Sequence, residues 1–377
     1  METGQTTYQA FPYGLRHRPF AVPQGKNGIR MTFMTNASCG GGVRYGIGGK
    51  WQKAYDTLGG RIRTDRRIHH VLLEALEPGV AYETQPFAVV PATGEEVPLQ
   101  APQHLRLPEN DFSLFAIADL HRTIPERREL LNAYIENCRL KSCDLLVSLG
   151  DFTNAADDLE AEYFQGGLDE ILEAGDKIRQ MAILRGNHEM RGRQADMFFS
   201  IFAPGEAAYF GFNYGKAAFV VLDSGECEPP GPNDSACLNI AAKEYFSRQR
   251  KWLQDHVQTE DFRQARFKVV LSHGIPVPTE KHTYMPGNLL ELTDGIFTGD
   301  SPHAEISLWL AGHIHSFAHI KANSLPGIPF PILCTEGPDS SRRQDSAFLL
   351  DFSKDKLEIR AFDHTGECFH SLSLGEN

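Results

Sequence analysis

The sequence predicts a two-domain α+β protein, an N-terminal β-sandwich followed by an α/β sandwich whose central mixed sheets are flanked by helices. Between residues 28 and 90, short apolar or alternating runs are separated by Gly and Pro, with few helical periods. Residues 91–111 are rich in Pro and polar residues and show no sustained period, as a linker would. From residue 112 onward, apolar runs alternate with helical patterns, the signature of crossover connections between parallel strands. The boundary is placed near residue 105, giving domains 1–105 and 106–377.

In the first domain "GIRMTFMT", "GGVRYGI", "IHHVLLEAL" and "YETQPFAVV" are expected as separate strands. The glycine-rich "CGGGVRYGIGGKW" does not fit a phosphate loop, because Lys50 is followed by Trp51 and Arg44 occupies the earlier glycine position. Its glycines are therefore expected in turns. Arg61, Arg63, Arg66 and Arg67 fit the solvated face of a strand, and His69 and His70 beside them are expected at the surface. In "LEPGVAYE" a leucine and a Pro-Gly turn precede Tyr82, which resembles the tyrosine corner of fibronectin type III domains.

The second domain opens with the buried-strand run "SLFAIA" and the helix "TIPERRELLNAYIENC", which carries a capping box from Thr123 to Glu126 and Pro125 in its first turn. "DLLVSL" and "QMAIL" are strands, with the helical "DDLEAEYFQGGLDEILEA" between them. "AAFVVLD", "FKVVL" and "SLWLA" are expected to join them in one largely parallel central sheet. "AFLLDF", "KLEIRAF" and "CFHSLSL" should close the chain as an antiparallel meander.

The 377 residues are 41% hydrophobic and 23% charged, sufficient for sizeable cores. A formal charge of −12 argues against a nucleic-acid or anionic-membrane partner, since both are gripped by clustered Lys and Arg. No run approaches the ~18 apolar residues of a spanning helix. The start "METGQTTYQAF" lacks the apolar core of a signal peptide, so a cytoplasmic or an already processed protein is expected, with the cytoplasm as the location chosen. Cys39, Cys138, Cys143, Cys227, Cys237, Cys334 and Cys368 form no C-x-x-C pair and are expected to be mostly reduced; Cys227 and Cys237 flank the loop "EPPGPNDSA" and would pair were the protein exported.

The chemistry sits where the strands of the second domain end. "SLFAIA" leads into Asp119-Leu120-His121, "DLLVSL" into Gly150-Asp151, and "QMAIL" into Arg185-Gly186-Asn187-His188-Glu189. "FKVVL" leads into Ser272-His273, and "SLWLA" into Gly312-His313-Ile314-His315. In an open α/β sheet the carboxyl ends of the strands share one edge, so these residues should converge on one crevice. Imidazole, carboxylate and amide oxygen suit Mn, Fe, Zn or Co, and seven such donors match two ions sharing a bridging carboxylate.

D-x-H, G-D, G-N-H-E, a lone His and G-H-x-H, in this order over most of residues 113–320, resemble the calcineurin-like metallophosphoesterases. The resemblance implies that Asp119, His121 and His315 hold one divalent transition-metal ion and that Asn187, His273 and His313 hold the other, with Asp151 bridging. It implies that His188 is a non-ligand general acid. The expected activity is phosphomonoester hydrolysis on a small phosphorylated substrate, by attack of a hydroxide held between two ions about 3.5–4 Å apart. Phosphodiester hydrolysis, including that of cyclic nucleotides, is the alternative on the same core; a non-catalytic interaction protein is the alternative outside enzymes. Glu189 either orients a ligand from behind or is a solvated loop acid.

A preceding β-sandwich and "VVLDSGE" around Asp223 resemble the purple acid phosphatases. Two departures stand out: His121 replaces the glycine of their first motif, and Asn154 replaces the tyrosine three residues after the second-motif Asp. Without that phenolate no ferric charge-transfer colour is expected. Segments 225–239 and 274–303 are long enough to be lids or specificity loops, but His282, Tyr284, Arg191 and Arg193 are given no role.

Overall fold

The structure is a computed structural model and describes residues 13–173, 177, 179–203, 205, 207–225, 242–277, 289–300, 302–335 and 345–375. The apolar strand runs do not join one central sheet, as the sequence suggests, but two. In the larger, the order is Cys368–Gly375, Lys356–Phe362, Ala347–Phe352, Phe112–Ile117, Leu145–Ser148, Arg179–Ile183, Leu15–Gln24 and Gly28–Ile47. Phe112–Ile117, Leu145–Ser148 and Arg179–Ile183 run parallel, and the C-terminal strands form the expected antiparallel meander. The second sheet orders Phe210–Tyr214, Ala217–Leu222, Phe267–Ser272, Leu308–Ala311, Ile332–Cys334 and Ala318–Ile320, with the middle four parallel.

The two sheets face each other across a common core. Phe219, Val221, Val269, Leu271, Leu308 and Leu310 pack there with residues of the first sheet such as Phe115 and Ile117. Their sequence neighbours Val220, Val270 and Trp309 point the other way, with Leu253, Phe262 and Leu289 of the outer helices. Both faces of these strands are covered, which is why they read as unbroken apolar runs; such runs do not say which sheet a strand joins. The Ile124–Asn137 helix begins with the expected capping box, Thr123 N–H donating to Glu126 Oε2 at 3.2 Å.

The N-terminal segment differs from expectation in four ways. "GIRMTFMT" and "GGVRYGI" belong to one strand, Gly28–Ile47, whose first half pairs with Arg66–Leu73 and whose second half pairs with Lys50–Tyr55 and Ala81–Val89. Gly41 and Gly42 therefore lie inside a strand: a Cβ at Gly41 would come within 2.4 Å of His69, and one at Gly42 within 2.2 Å of Phe87. They permit close packing, and only Gly48 and Gly49, with φ of +57° and +78°, make the turn. The expected linker contributes two short strands, Glu96–Pro98 and Gln103–Arg106, both paired to Ala81–Val89. Nor is His69 on the surface: it is fully buried, with Nε2 3.2 Å from Thr35 Oγ1. Arg61 and Arg67 are exposed, whereas Arg63 turns toward the buried Asp56 carboxylate at 3.7 Å. Glu77 N–H donates to the Tyr82 hydroxyl at 3.0 Å, tying that strand to the turn before it.

Backbone and side chains bind this segment to the larger sheet. Phe20 and Ala21 pair with Arg179 and Gln180 in parallel. The buried Arg30 donates to the Phe202 and Ala203 carbonyls, and His70 lies 2.7 Å from the Ser200 carbonyl and 3.1 Å from Thr32 Oγ1. Cys39, Cys138, Cys143 and Cys334 are buried thiols and Cys368 an exposed one; Cys227 and Cys237 lie outside the described residues. Among the described residues no helix is long and apolar enough to cross a membrane.

Burial and the nearby Arg30 guanidinium push the His70 imidazolium down to about 3. The folded value lies below the unfolded one, so the contribution is fully present above pH 6.5 and is lost as pH falls below it. Between pH 7 and pH 5 this group alone should remove up to about 2 kcal/mol of stability. Urea unfolding of wild type and His70→Gln at both pH values checks this: the variant should lose less stability on acidification, and an identical loss would show that His70 is not the titrating group.

Candidate metal centre

The structure brings the predicted residues together at the carboxyl edge of both sheets. Asp119 and Asp151 follow parallel strands of the first sheet, and Asn187 and His188 lie just beyond the next one; His273, His313 and His315 come from the second. The edge is shared because the sheets face each other with their parallel strands pointing the same way.

Four of these residues have left-handed backbone: Asp119 at φ +56°, Asp151 at +54°, His313 at +71° and His315 at +48°. Non-glycine residues avoid this region at a cost of about 1–3 kcal/mol each, and its clustering marks a site where neighbours enforce it. The preceding glycines make room. A Cβ at Gly186 would lie 2.1 Å from Asp151 Oδ1, and one at Gly312 would lie 2.7 Å from Asp119 Oδ2.

Two donor groups result, each with ligand atoms close enough to share one ion. Asp119, His121 and His315 form the first, with His121 Nε2 2.9 Å from His315 Nε2 and His315 Nε2 3.4 Å from Asp119 Oδ1. Asp151, His273 and His313 form the second, with His273 Nε2 3.1 Å from Asp151 Oδ2. His121, Asp151 and His188 also fall within such a distance, so Asp151 stands between the sets.

Asn187 completes the second group. Its amide oxygen lies 2.9 Å from His273 Nε2 and 3.2 Å from both His313 Nδ1 and Asp151 Oδ2. Turned over, the amide would donate into this cage and its oxygen would accept from Arg191 at 3.0 Å. A cation among these atoms favours the oxygen-inward orientation, since amide nitrogen is not a ligand. The buried Asp119 Oδ1, which accepts no hydrogen bond from the described residues, fits a cation equally well.

Neighbouring groups aim the ligands. His273 Nδ1 sits 3.1 Å from the Leu149 carbonyl and donates to it, which leaves Nε2 for the site. Asp119 Oδ2 accepts from His313 N–H at 2.8 Å, and Asp151 Oδ1 from His188 N–H at 2.9 Å. Burial alone would lower the His273 imidazolium, but the Asp151 carboxylate outweighs it and pushes the group up to about 9. A proton on His273 thus occupies the place a cation would take.

Glu189 is not a solvated loop acid. It is fully buried and accepts from Asp151 N–H (2.9 Å), Phe152 N–H (2.8 Å), Thr153 N–H (3.2 Å), Gly186 N–H (2.8 Å) and the Tyr163 hydroxyl (2.9 Å). It clamps the Asp151 loop to the Asn187 loop. Its sequence position next to His188 offered that signal; Tyr163, inside a π-helix at Ala161–Leu168, offered none.

His188 is half-buried, stacked on His121 with centroids 4.3 Å apart, its Nδ1 2.8 Å from the Asn154 carbonyl. Arg191 Nη1 lies 3.5 Å from His188 Nε2, while Arg193 is exposed beside Asp157. His282 and Tyr284 lie outside the described residues. Asp223 is buried, paired with Arg185 and accepting from the Tyr245 hydroxyl at 2.6 Å.

Facing mixed sheets with helices outside and Asp, His and Asn at one edge define a metal-dependent hydrolase architecture. The chain belongs to the calcineurin-like phosphoesterase family, whose model matches residues 112–317, more than half its length. The family and the donor groups together imply divalent metal ions.

Among solved structures, the chain is similar to the purple acid phosphatase PPD1 from yellow lupin (Lupinus luteus) seeds, with 13% identity and a TM-score of 0.66, covering 97% of this chain and 75% of that one. It is similar to GAP50, the anchor in the inner membrane complex of Plasmodium, with 13% identity and a TM-score of 0.50, covering 71% and 90%. A dimetal phosphatase from Danio rerio aligns at 14% identity and a TM-score of 0.49, covering 71% and 100%. Comparison with curated proteins finds no match.

Glu189→Gln keeps the shape but turns an NH2 toward a ring of donors. It should lower unfolding free energy by about 2–3 kcal/mol and weaken metal binding by roughly 10- to 100-fold. Denaturation and competitive chelator titration measure the two effects. Wild-type metal affinity in the variant would show that the clamp does not support the centre.

Proposed function

We propose that the chain is a phosphomonoesterase with a dinuclear centre, one ion held by Asp119, His121 and His315, the other by Asn187, His273 and His313, and Asp151 shared. The observation that carries this is the inward convergence of seven lone-pair donors from both sheets on one edge. Bound there, the metal pair supplies Lewis-acid activation of water and of the phosphoryl oxygens. The chain's residues orient the donors, and the Asp151 carboxylate, held below its ordinary range by His273 despite burial, remains anionic. His188 places a proton at the leaving oxygen: Nδ1–H on the Asn154 carbonyl directs Nε2 into the site, 3.8 Å from Asp151 Oδ2.

The domain division at residue 105 belongs to the same proposal, with a fibronectin type III-like β-sandwich before the catalytic domain. The division of Gly28–Ile47 between two sets of partners, the Tyr82 bond and the near-complete cover by the lupin phosphatase support it.

Full-length protein should carry about two transition-metal ions per chain by mass analysis; no stoichiometric metal, and none taken up on addition, would refute the centre. Asp151→Asn should damage metal content and turnover more than His315→Ala, because the bridging carboxylate serves both ions. Retention of both metals and normal turnover by Asp151→Asn would remove the bridge.

His188→Asn should leave metal content nearly unchanged. Turnover of alkyl phosphates, whose alkoxide leaves poorly, should fall roughly 10²- to 10⁴-fold, while p-nitrophenyl phosphate should suffer much less. Equal losses on both substrates would end the acid role, and loss of metal would make His188 a ligand. A parallel panel of phosphodiesters tests the ester preference.

A further inference from the structure

Arg127 lies outside every motif of the metal centre, yet it is a completely buried cation on the helix that follows the first one. Its Nε donates to the Leu120 carbonyl at 3.0 Å and its Nη2 to the Arg122 carbonyl at 2.9 Å. These are the carbonyls of the two residues flanking His121, so one guanidinium edge grips the loop on either side of that residue. The other edge faces the π-helix, where Nη1 donates to the Glu162 carbonyl and Nη2 lies 3.0 Å from Glu162 Oε2. Glu162 Oε2 also accepts from Thr153 Oγ1 at 3.0 Å, and the Arg127 guanidinium carbon sits 5.1 Å from the ring centroid of Phe152. Phe152 and Thr153 directly follow Asp151. Asn154 closes the circuit, its amide donating to the Arg122 carbonyl at 3.3 Å.

We propose that Arg127 is a positioning residue that sets the place of His121 relative to Asp151, and so governs occupancy of the ion held by Asp119, His121 and His315. This rests on the two-ion reading above. The other three-residue set, Asn187, His273 and His313, has its own supports in Glu189 and the Leu149 carbonyl and does not touch Arg127. A planar fork is required here, because a lysine ammonium cannot face two carbonyls on one edge and the π-helix on the other.

Gly166 offers a second handle on the clamp. A Cβ there would fall 2.4 Å from Arg127 Nη1, so Gly166→Ala displaces the guanidinium without removing its charge. In both Arg127→Met and Gly166→Ala, metal content after dialysis into limiting metal should drop from about two ions per chain to about one. Affinity for the lost ion should fall roughly 10- to 100-fold. Arg127→Lys should recover only part of it.

Adding excess metal should restore turnover to within a few-fold of wild type. Adding Arg127→Met to His315→Ala should remove no further metal, since both act on the same ion. Loss of both ions in parallel with melting temperature, or a lower melting temperature with both ions retained, would reduce Arg127 to a structural residue. If Arg127→Met does not fold, Gly166→Ala and Arg127→Lys decide by the same stoichiometry. Wild type holding fewer than two ions overturns the two-ion reading, whereas wild type with two and variants with two overturn only the role of Arg127.

Discussion

The centre depends on a buried carboxylate that stands outside its donor groups. Glu189 gathers four backbone N–H groups and one phenol, which would otherwise be donors stranded in the protein interior. By doing so it forces the turn after Leu145–Ser148 against the turn after Arg179–Ile183, and Asp151 and Asn187 can then face a common point. The arrangement carries an electrostatic cost. Glu189, Asp151 and Asp119 are all buried, and burial together with the Asp151 charge raises the Glu189 carboxyl. Three neighbouring acids away from water call for positive charge, and protonated His273 supplies only part of it. The fold therefore holds a standing demand for cations at the edge where its neutral donors converge.

Strain and packing meet this demand from the backbone side. Left-handed φ values at Asp119, Asp151, His313 and His315 turn each side chain back over the end of its strand. Such values survive only where the surroundings leave no alternative. The surroundings here are the inter-sheet core of Phe115, Ile117, Phe219, Val221 and Leu310, together with side-chain-free positions at Gly186 and Gly312. The strands supply rigidity, and the residue just after each strand supplies chemistry. Arg127 extends the principle to His121, which sits in a loop and needs an external grip.

This division explains what could be read from the sequence. Donor residues at strand ends were visible because apolar runs locate strands, and shared polarity of parallel strands implies a shared edge. Residues that aim the donors left little trace. Tyr163 lies in a helical stretch that looks like core, and Arg127 resembles any helical arginine. The partition into two sheets was hidden because strands covered on both faces carry no alternation. Gly41 and Gly42 look like turn residues in the sequence because glycine marks both turns and close approaches, and only His69 and Phe87 reveal which applies. The burial of His69 is hidden for a related reason: its partners Thr35 and Cys39 come from a neighbouring strand whose register the sequence leaves open.

Asn154 ties together two parts of the site. The purple acid phosphatase pattern has tyrosine at this position; here the shorter side chain reaches the Arg122 carbonyl while its own carbonyl receives His188 Nδ1. The residue staples the loop that carries His121 to the imidazole stacked upon it. Placing His121 where that pattern has glycine adds an imidazole on the same side of the site. On the proposed ligand set, an asparagine in place of a phenolate and a neutral imidazole leave Asp119 and Asp151 as the anionic donors, a set that suits divalent ions. The two departures thus meet at one loop: His121 lies within reach of the proposed first ion, and Asn154 together with Arg127 holds the loop that carries it.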